Sequence, residues 1–326
     1  MKRTWWLASA LVWIAFAMVP LVLGDWELAM FGQTLVYGIA AMSLAFIWGQ
    51  AGLLCFGQSV FFGTGAYLTG LAAKGMLPGL PELGWMALPL SFLGGMLLSG
   101  LLGAALFFGR AIQNAYFGIV TIVLAIIAER IATNWDYIGG FNGLLDVPSL
   151  MWSMGGQEFD TADPMTGYVT VLSLAFISFL GLFFVQQSKL GTIIRGISAN
   201  ETRMTNLGYN AGLWKTMAFS LSGGVAALAG ALFAIQFSFV SPAVIGFALS
   251  TEILIWAAVG GKAVLLAAML GAVIVKYVEY LLSDRIGQYW LLAIGVIFIA
   301  VVIVFPQGLL GKLFRPDLPR RLRRRV

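Results

Sequence analysis

Residues 249–282 read LSTEILIWAAVGGKAVLLAAMLGAVIVKYVEYLL. Nearly every position is apolar, but Gly260-Gly261-Lys262 interrupts the run. A helix needs about 20 mostly apolar residues to cross a bilayer. The stretch is too long for one crossing and is broken near its middle, so it crosses twice or enters and returns. The surrounding chain settles which solvent it meets. Of 326 residues, 60% are hydrophobic and 10% charged, with mean hydropathy +0.93. Soluble domains carry about 25% charged residues, and this composition places the chain in a membrane.

Outward from that stretch, further spans are expected at 5–23, 28–48, 52–73, 85–109, 116–131, 167–185, 216–239 and 289–305. Lys2 and Arg3 ahead of the first run favour a retained first helix with its N-terminus inside. Six crossings return the chain inside at 186–215, which holds Lys189, Arg195, Arg203 and Lys215. The connection near 132–166 carries five acidic residues and neither Lys nor Arg, which suits the outer face. Residues 312–326 hold seven basic groups against Asp317, while the rest of the chain holds 12 basic and 13 acidic. That tail belongs inside, so an even number of crossings lies between Lys215 and Lys312. This parity is what requires a broken or re-entrant segment at 249–282, tolerated only where protein or water satisfies the freed backbone groups. The expected architecture is an all-α, polytopic membrane bundle of about 8–10 spans with broken or re-entrant segments: a transmembrane domain at 1–311 and a basic cytoplasmic tail at 312–326. Nucleic-acid binding has no support, because the tail serves as a topology mark beside anionic headgroups.

Several chemistries are excluded. Histidine is absent, which removes His-based triads and His-ligated metals. The single cysteine, Cys55, sits in an apolar run and reads as a small buried hydrophobe. Gly261-Lys262 and Gly311-Lys312 are followed by Ala263 and Leu313, where a phosphate-binding loop needs Ser or Thr. No catalytic residue, metal or cofactor is expected, and the chain is not expected to be an enzyme.

Three features are candidates to carry function. Residues 48–70 interleave six glycines with Gln50, Gln58, Ser59 and Thr64. Together with the break at 260–261 they form a pair of Gly-interrupted segments in two halves, a sign of internal repeats with a pathway between them; ordinary helix packing at small residues is the competing explanation. Second, ionisable residues lie at membrane depth, where they are costly and often functional. Glu252 opens the broken segment, Lys276 and Glu279 are spaced to pair on one helix face, and Glu129 and Arg130 lie near a span end. Third, the inner loop 186–215 contains helix-like pieces at 193–197 and 201–207. Asn200 is placed to cap the second and Gly208 to close it; such a piece suits docking of a soluble partner, and a solvated loop between spans is the competing explanation.

Four blocks resemble one family. They are GQAGLLCFGQSVFFGTGAYLTG at 49–70, YFGIVTIVLAIIAERIATNWDYIGGFNGL at 116–144, LGTIIRGISANETRMTNLGYNAGLWKTMAFSLSGGVAALAGALF at 190–233, and residues 252–311, beginning EILIWAAVGG and ending FPQGLLG. In this order and spacing the chain resembles the permease subunits of the branched-chain amino acid ABC importers, a group that also serves urea and short amides. The resemblance implies an ATP-driven importer in a bacterial inner membrane, with both termini cytoplasmic. It implies a second homologous permease, two ATP-binding subunits and an extracytoplasmic solute-binding protein as partners, besides the lipid bilayer itself. It places ATPase coupling on Arg195, Asn200, Glu201, Arg203, Leu207 and Gly208. The candidate substrate pathway comprises Gln58, Ser59, Phe61, Phe62 and Thr64, then Asn142, then Glu252 and Trp256. Lys262-Ala263-Val264 departs from the Gly-Thr or Gly-Ser pair usual after Val-Gly-Gly. IWAAVGG and Gln288-Tyr289-Trp290 lean towards the urea and amide branch. Branched-chain or other hydrophobic amino acids lead, urea or a short amide is the rival, and a self-sufficient carrier or channel is the alternative of another class.

Overall fold

The computed structural model describes residues 3–78, 82–108, 114–154 and 157–286, together with 295, 296, 299, 303, 304 and 308–311. The basic tail, Lys2, Gln288-Tyr289-Trp290 and most of the 289–305 span lie outside the described residues. Eleven α-helices are described: α1 (Arg3–Met18), α2 (Asp25–Ala51), α3 (Gln58–Ala73), α4 (Ala87–Phe107), α5 (Asn114–Asn134), α6 (Pro164–Gln187), α7 (Lys189–Ala199), α8 (Glu201–Asn206), α9 (Ala211–Phe237), α10 (Phe247–Gly260) and α11 (Leu265–Ile286). Six of them, α2, α4, α5, α6, α9 and α11, are long and apolar enough to cross a membrane. The protein is a multi-pass, all-α membrane bundle.

Helix ends follow local chemistry. Asp25 and Glu27 occupy the first turn of α2, where the helix dipole favours negative charge. The helix stops at Gly52, whose left-handed φ of 70° lets its N–H reach the Trp48 carbonyl. Asp163 caps α6 by accepting from the Thr166 N–H, with Pro164 at the first helical position. Asn210 caps α9 by accepting from Leu213 N–H.

The expected 52–73 span proves to be broken. Residues 52–57 are not helical, and α3 begins only at Gln58. The 249–282 stretch breaks where Gly260-Gly261 predicts: α10 ends at Gly260, Gly261 adopts φ 143°, and α11 starts at Leu265. The carbonyls freed at the end of α10 are met by the chain's own later residues. Leu309 N–H donates to the Val259 carbonyl at 2.7 Å and Leu310 N–H to that of Gly260 at 3.0 Å. The FPQGLLG string thus supplies the partners that a helix end inside a membrane requires. One element was not anticipated in the acidic connection, an antiparallel hairpin of β1 (Met151–Met154) and β2 (Gln157–Asp160).

The packing is reciprocal. α2 and α9 face each other at the centre; α4 and α3 pack on α9, while α11 and α10 pack on α2. This exchange of partners between two three-helix sets, α2–α4 and α9–α11, is the pattern of an internal repeat. Small residues allow the close crossings. A Cβ on Gly65 would lie 1.9 Å from the Ala227 carbonyl oxygen, and one on Gly230 1.7 Å from that of Phe62. The two short helices start beside each other, since Ser59 Oγ donates to the Ile245 carbonyl at 2.7 Å. From there they diverge. α3 leads to Met76, whose carbonyl accepts from the Tyr137 hydroxyl in the connection that carries the hairpin. α10 leads to Lys262, whose Nζ lies 5.1 Å from the Trp48 ring at the opposite end of α2.

Candidate functional site

The residues singled out from sequence fall into three places. The first is the packed seam where α3 meets α2 and α9. Gln58, at the first position of α3, is fully buried. Its amide nitrogen donates to Ser43 Oγ at 2.8 Å and Ser222 Oγ at 3.1 Å. Those hydroxyls in turn donate to the carbonyls of Ala40 and Ser43, so one buried amide joins the two central helices. Gln58 Oε1 has no hydrogen-bond partner among the described residues. Phe61 meets Phe219 edge-on, and Phe62 meets Phe233 likewise. Thr64 turns its hydroxyl to the Val60 carbonyl and lines an apolar cleft of about 520 Å³ between α3, α4 and α5. The buried Tyr67 hydroxyl, which also has no partner among the described residues, borders the same cleft. Asn142 stands apart from this seam, exposed on the turn Gly140–Asn142. Its neighbour Gly143 lies against Val240 and Ser241, in the segment that leads to α10.

The second place is a charged cluster between α10 and α11. Lys276 Nζ lies 2.9 Å from Glu279 and 3.4 Å from Glu252. It also sits 4.7 Å from the Tyr37 ring centre and 5.2 Å from that of Trp256, within cation–π range. Two expected pathway residues, Glu252 and Trp256, therefore meet here. Trp256 is buried, whereas 39% of the Glu252 side chain is open. Sequence spacing pointed to the Lys276–Glu279 pair but not to Glu252 or Tyr37, which lie on other helices. Nearby, the Glu129 carboxylate of α5 lies against Gly246, the residue that starts α10. Negative charge there favours the helix dipole.

The third place is the loop between α6 and α9, which folds as two short helices. Asn200 caps α8 as expected, its Oδ1 accepting from the Arg203 N–H at 2.8 Å. Gly208 takes φ 89° beyond the helix end. Arg195, on α7, donates to Gln50 Oε1 at 2.7 Å and to the Gln186 carbonyl at 2.8 Å, tying the loop to α2. Partial burial lowers the pKa of this guanidinium. Glu201 pairs with Lys215 at 2.7 Å, tying α8 to the buried foot of α9. Arg203, Leu207 and Tyr209 remain exposed. The result is a knob with a basic and apolar tip, anchored to both central helices. The tie between Arg195 and Gln50 spans 145 positions, and no sequence signal marked it.

Residues 28–304 match the family model described as "Branched-chain amino acid transport system / permease component". The chain is 29% identical to the high-affinity branched-chain amino acid transport system permease protein LivM of Escherichia coli, covering 87% of this chain and 70% of that one. Its identity to LivM of Salmonella typhimurium is 28%, over 88% and 70%. With the permease protein LivH of Escherichia coli it shares 24%, over 87% and 93%. No solved structure matches.

Proposed function

The chain belongs to the family of branched-chain amino acid transport permease components, and from that premise we propose that it forms the translocation pathway of an ATP-driven importer for branched-chain or other hydrophobic amino acids. The proposed setting is a bacterial inner membrane with both termini cytoplasmic. Residues 1–311 act as the permease domain, and 312–326 form a basic tail at the inner surface. The partners are a second homologous permease, two ATP-binding subunits and an extracytoplasmic solute-binding protein. No nucleotide is hydrolysed on this chain.

The observation that carries the reading is the anchored knob at α8. Arg203, Leu207 and the Gly208 turn offer a surface for an ATPase subunit. Glu201 and Lys215 then link that surface to α9, and Arg195 and Gln50 link its neighbour α7 to α2. Movement of the knob on ATP-driven closure of the partners would be transmitted to the two central helices. Because α3 and α4 pack on α9 and α10 and α11 on α2, such a shift would re-bias the bundle between inward- and outward-open states.

The test is reconstitution. The chain is co-expressed with its candidate ATPase and second permease, purified, and placed in proteoliposomes with the binding protein. ATP-dependent accumulation of leucine supports the reading. Leucine uptake by this chain alone, or accumulation of urea in place of leucine, overturns it.

A further inference from the structure

We infer that Glu252 is the intramembrane contact for the ammonium group of the transported solute, an inference that rests on the importer reading. Two carboxylates, Glu252 and Glu279, share one ammonium, that of Lys276. Among the described residues this leaves one negative charge uncompensated in the cluster. The two carboxylates are not equivalent. Lys276 is held by Glu279 at 2.9 Å and by the faces of Tyr37 and Trp256. Its distance to Glu252 is longer, 3.4 Å, and 39% of the Glu252 side chain is open against 22% for Glu279. Glu279 and the rings fix the lysine in place, and Glu252 is the acid left available.

Its position makes that availability informative. Glu252 lies in the second turn of α10, a helix that begins inside the bundle beside Ser59 and Ile245. An open carboxylate at such depth does not face hydrocarbon; it faces water, protein or a cation. A zwitterionic amino acid carries a cation that fits, and its carboxylate is kept clear of Glu252 by like-charge repulsion. Urea and neutral amides carry no such group, so the cluster favours an amino acid over them.

The test uses the assembled importer in proteoliposomes, with radiolabelled leucine as probe. Glu252→Gln keeps the volume and leaves an oxygen to accept from Lys276, but removes the charge. Losing a charge-assisted contact costs roughly tenfold or more, so leucine uptake by Glu252→Gln falls by about that factor while melting temperature and assembly hold. Glu279→Gln loses less uptake, because the shorter pair serves Lys276 and not the solute. A merely structural brace behaves oppositely: Glu279→Gln does at least as much damage, and both variants melt earlier. That outcome overturns the inference, as does leucine uptake by Glu252→Gln within about twofold of wild type. Failure of the wild-type complex to move leucine instead overturns the importer reading on which the inference stands.

Discussion

Gln58 shows how one side chain serves packing and chemistry together. Its amide nitrogen has partners on both central helices, while its carbonyl oxygen has none among the described residues. Glutamine flanked by Ser and Gly is legible in sequence as a neutral polar position in an apolar run. That its partners are Ser43 and Ser222 is not legible, because those residues come from different helices. Ser43 and Ser222 keep their bonds to backbone carbonyls when Gln58 is replaced. Gln58→Leu is therefore expected to cost no more than about 1.5 kcal/mol of stability, and to slow leucine uptake by the assembled complex. Normal uptake would assign Gln58 to packing alone. The glycines are sharper. Gly65→Ala would drive a Cβ into the Ala227 carbonyl at 1.9 Å, whereas Gly181→Ala meets nothing within 4 Å. The first is expected to abolish recovery of folded protein in detergent and the second to leave it unchanged, as size-exclusion profiles would show.

At the scale of elements, ends were more legible than faces. The Asn200 cap, the Gly208 turn and the break at Gly260-Gly261 all stand where sequence placed them, since caps and breaks depend on a few adjacent residues. The start of α3 was placed six residues too early because the segment before it is as apolar as a helix yet lies outside one. The knob at α8 combines both kinds of information. Arg203→Glu reverses an exposed charge and touches no described ion pair. It is expected to leave insertion and melting intact while reducing ATPase association and the transport achieved per ATP hydrolysed. Unchanged coupling would remove α8 as the docking element. Glu201→Lys is a poorer probe, because it would set a second ammonium against the buried Lys215.

For the whole molecule, the connection bearing Asn142 and the loop bearing Asn206 belong on opposite sides of the membrane under the proposed topology. Cys55 is fully buried, so wild-type protein offers an impermeant maleimide no accessible thiol. Asn142→Cys and Asn206→Cys place thiols at exposed positions. The first is expected to label from outside intact cells and the second only after permeabilisation. Labelling of both from one side would refute the topology. The sequence by itself determined that this chain lives in a bilayer, that it is helical, and where α8 and α10 end, because hydropathy, caps and glycine breaks act locally. It did not determine which faces meet. A helix that is apolar all round carries no stripe to say which side is inward. Tertiary structure decided that α2 and α9 form the centre, that Leu309 and Leu310 satisfy the end of α10, and that Glu252, Lys276 and Tyr37 converge from three helices. In a membrane, where lipid is as apolar as the side chains, close approach at small residues and a few polar bonds choose the partners, and both are properties of pairs of segments.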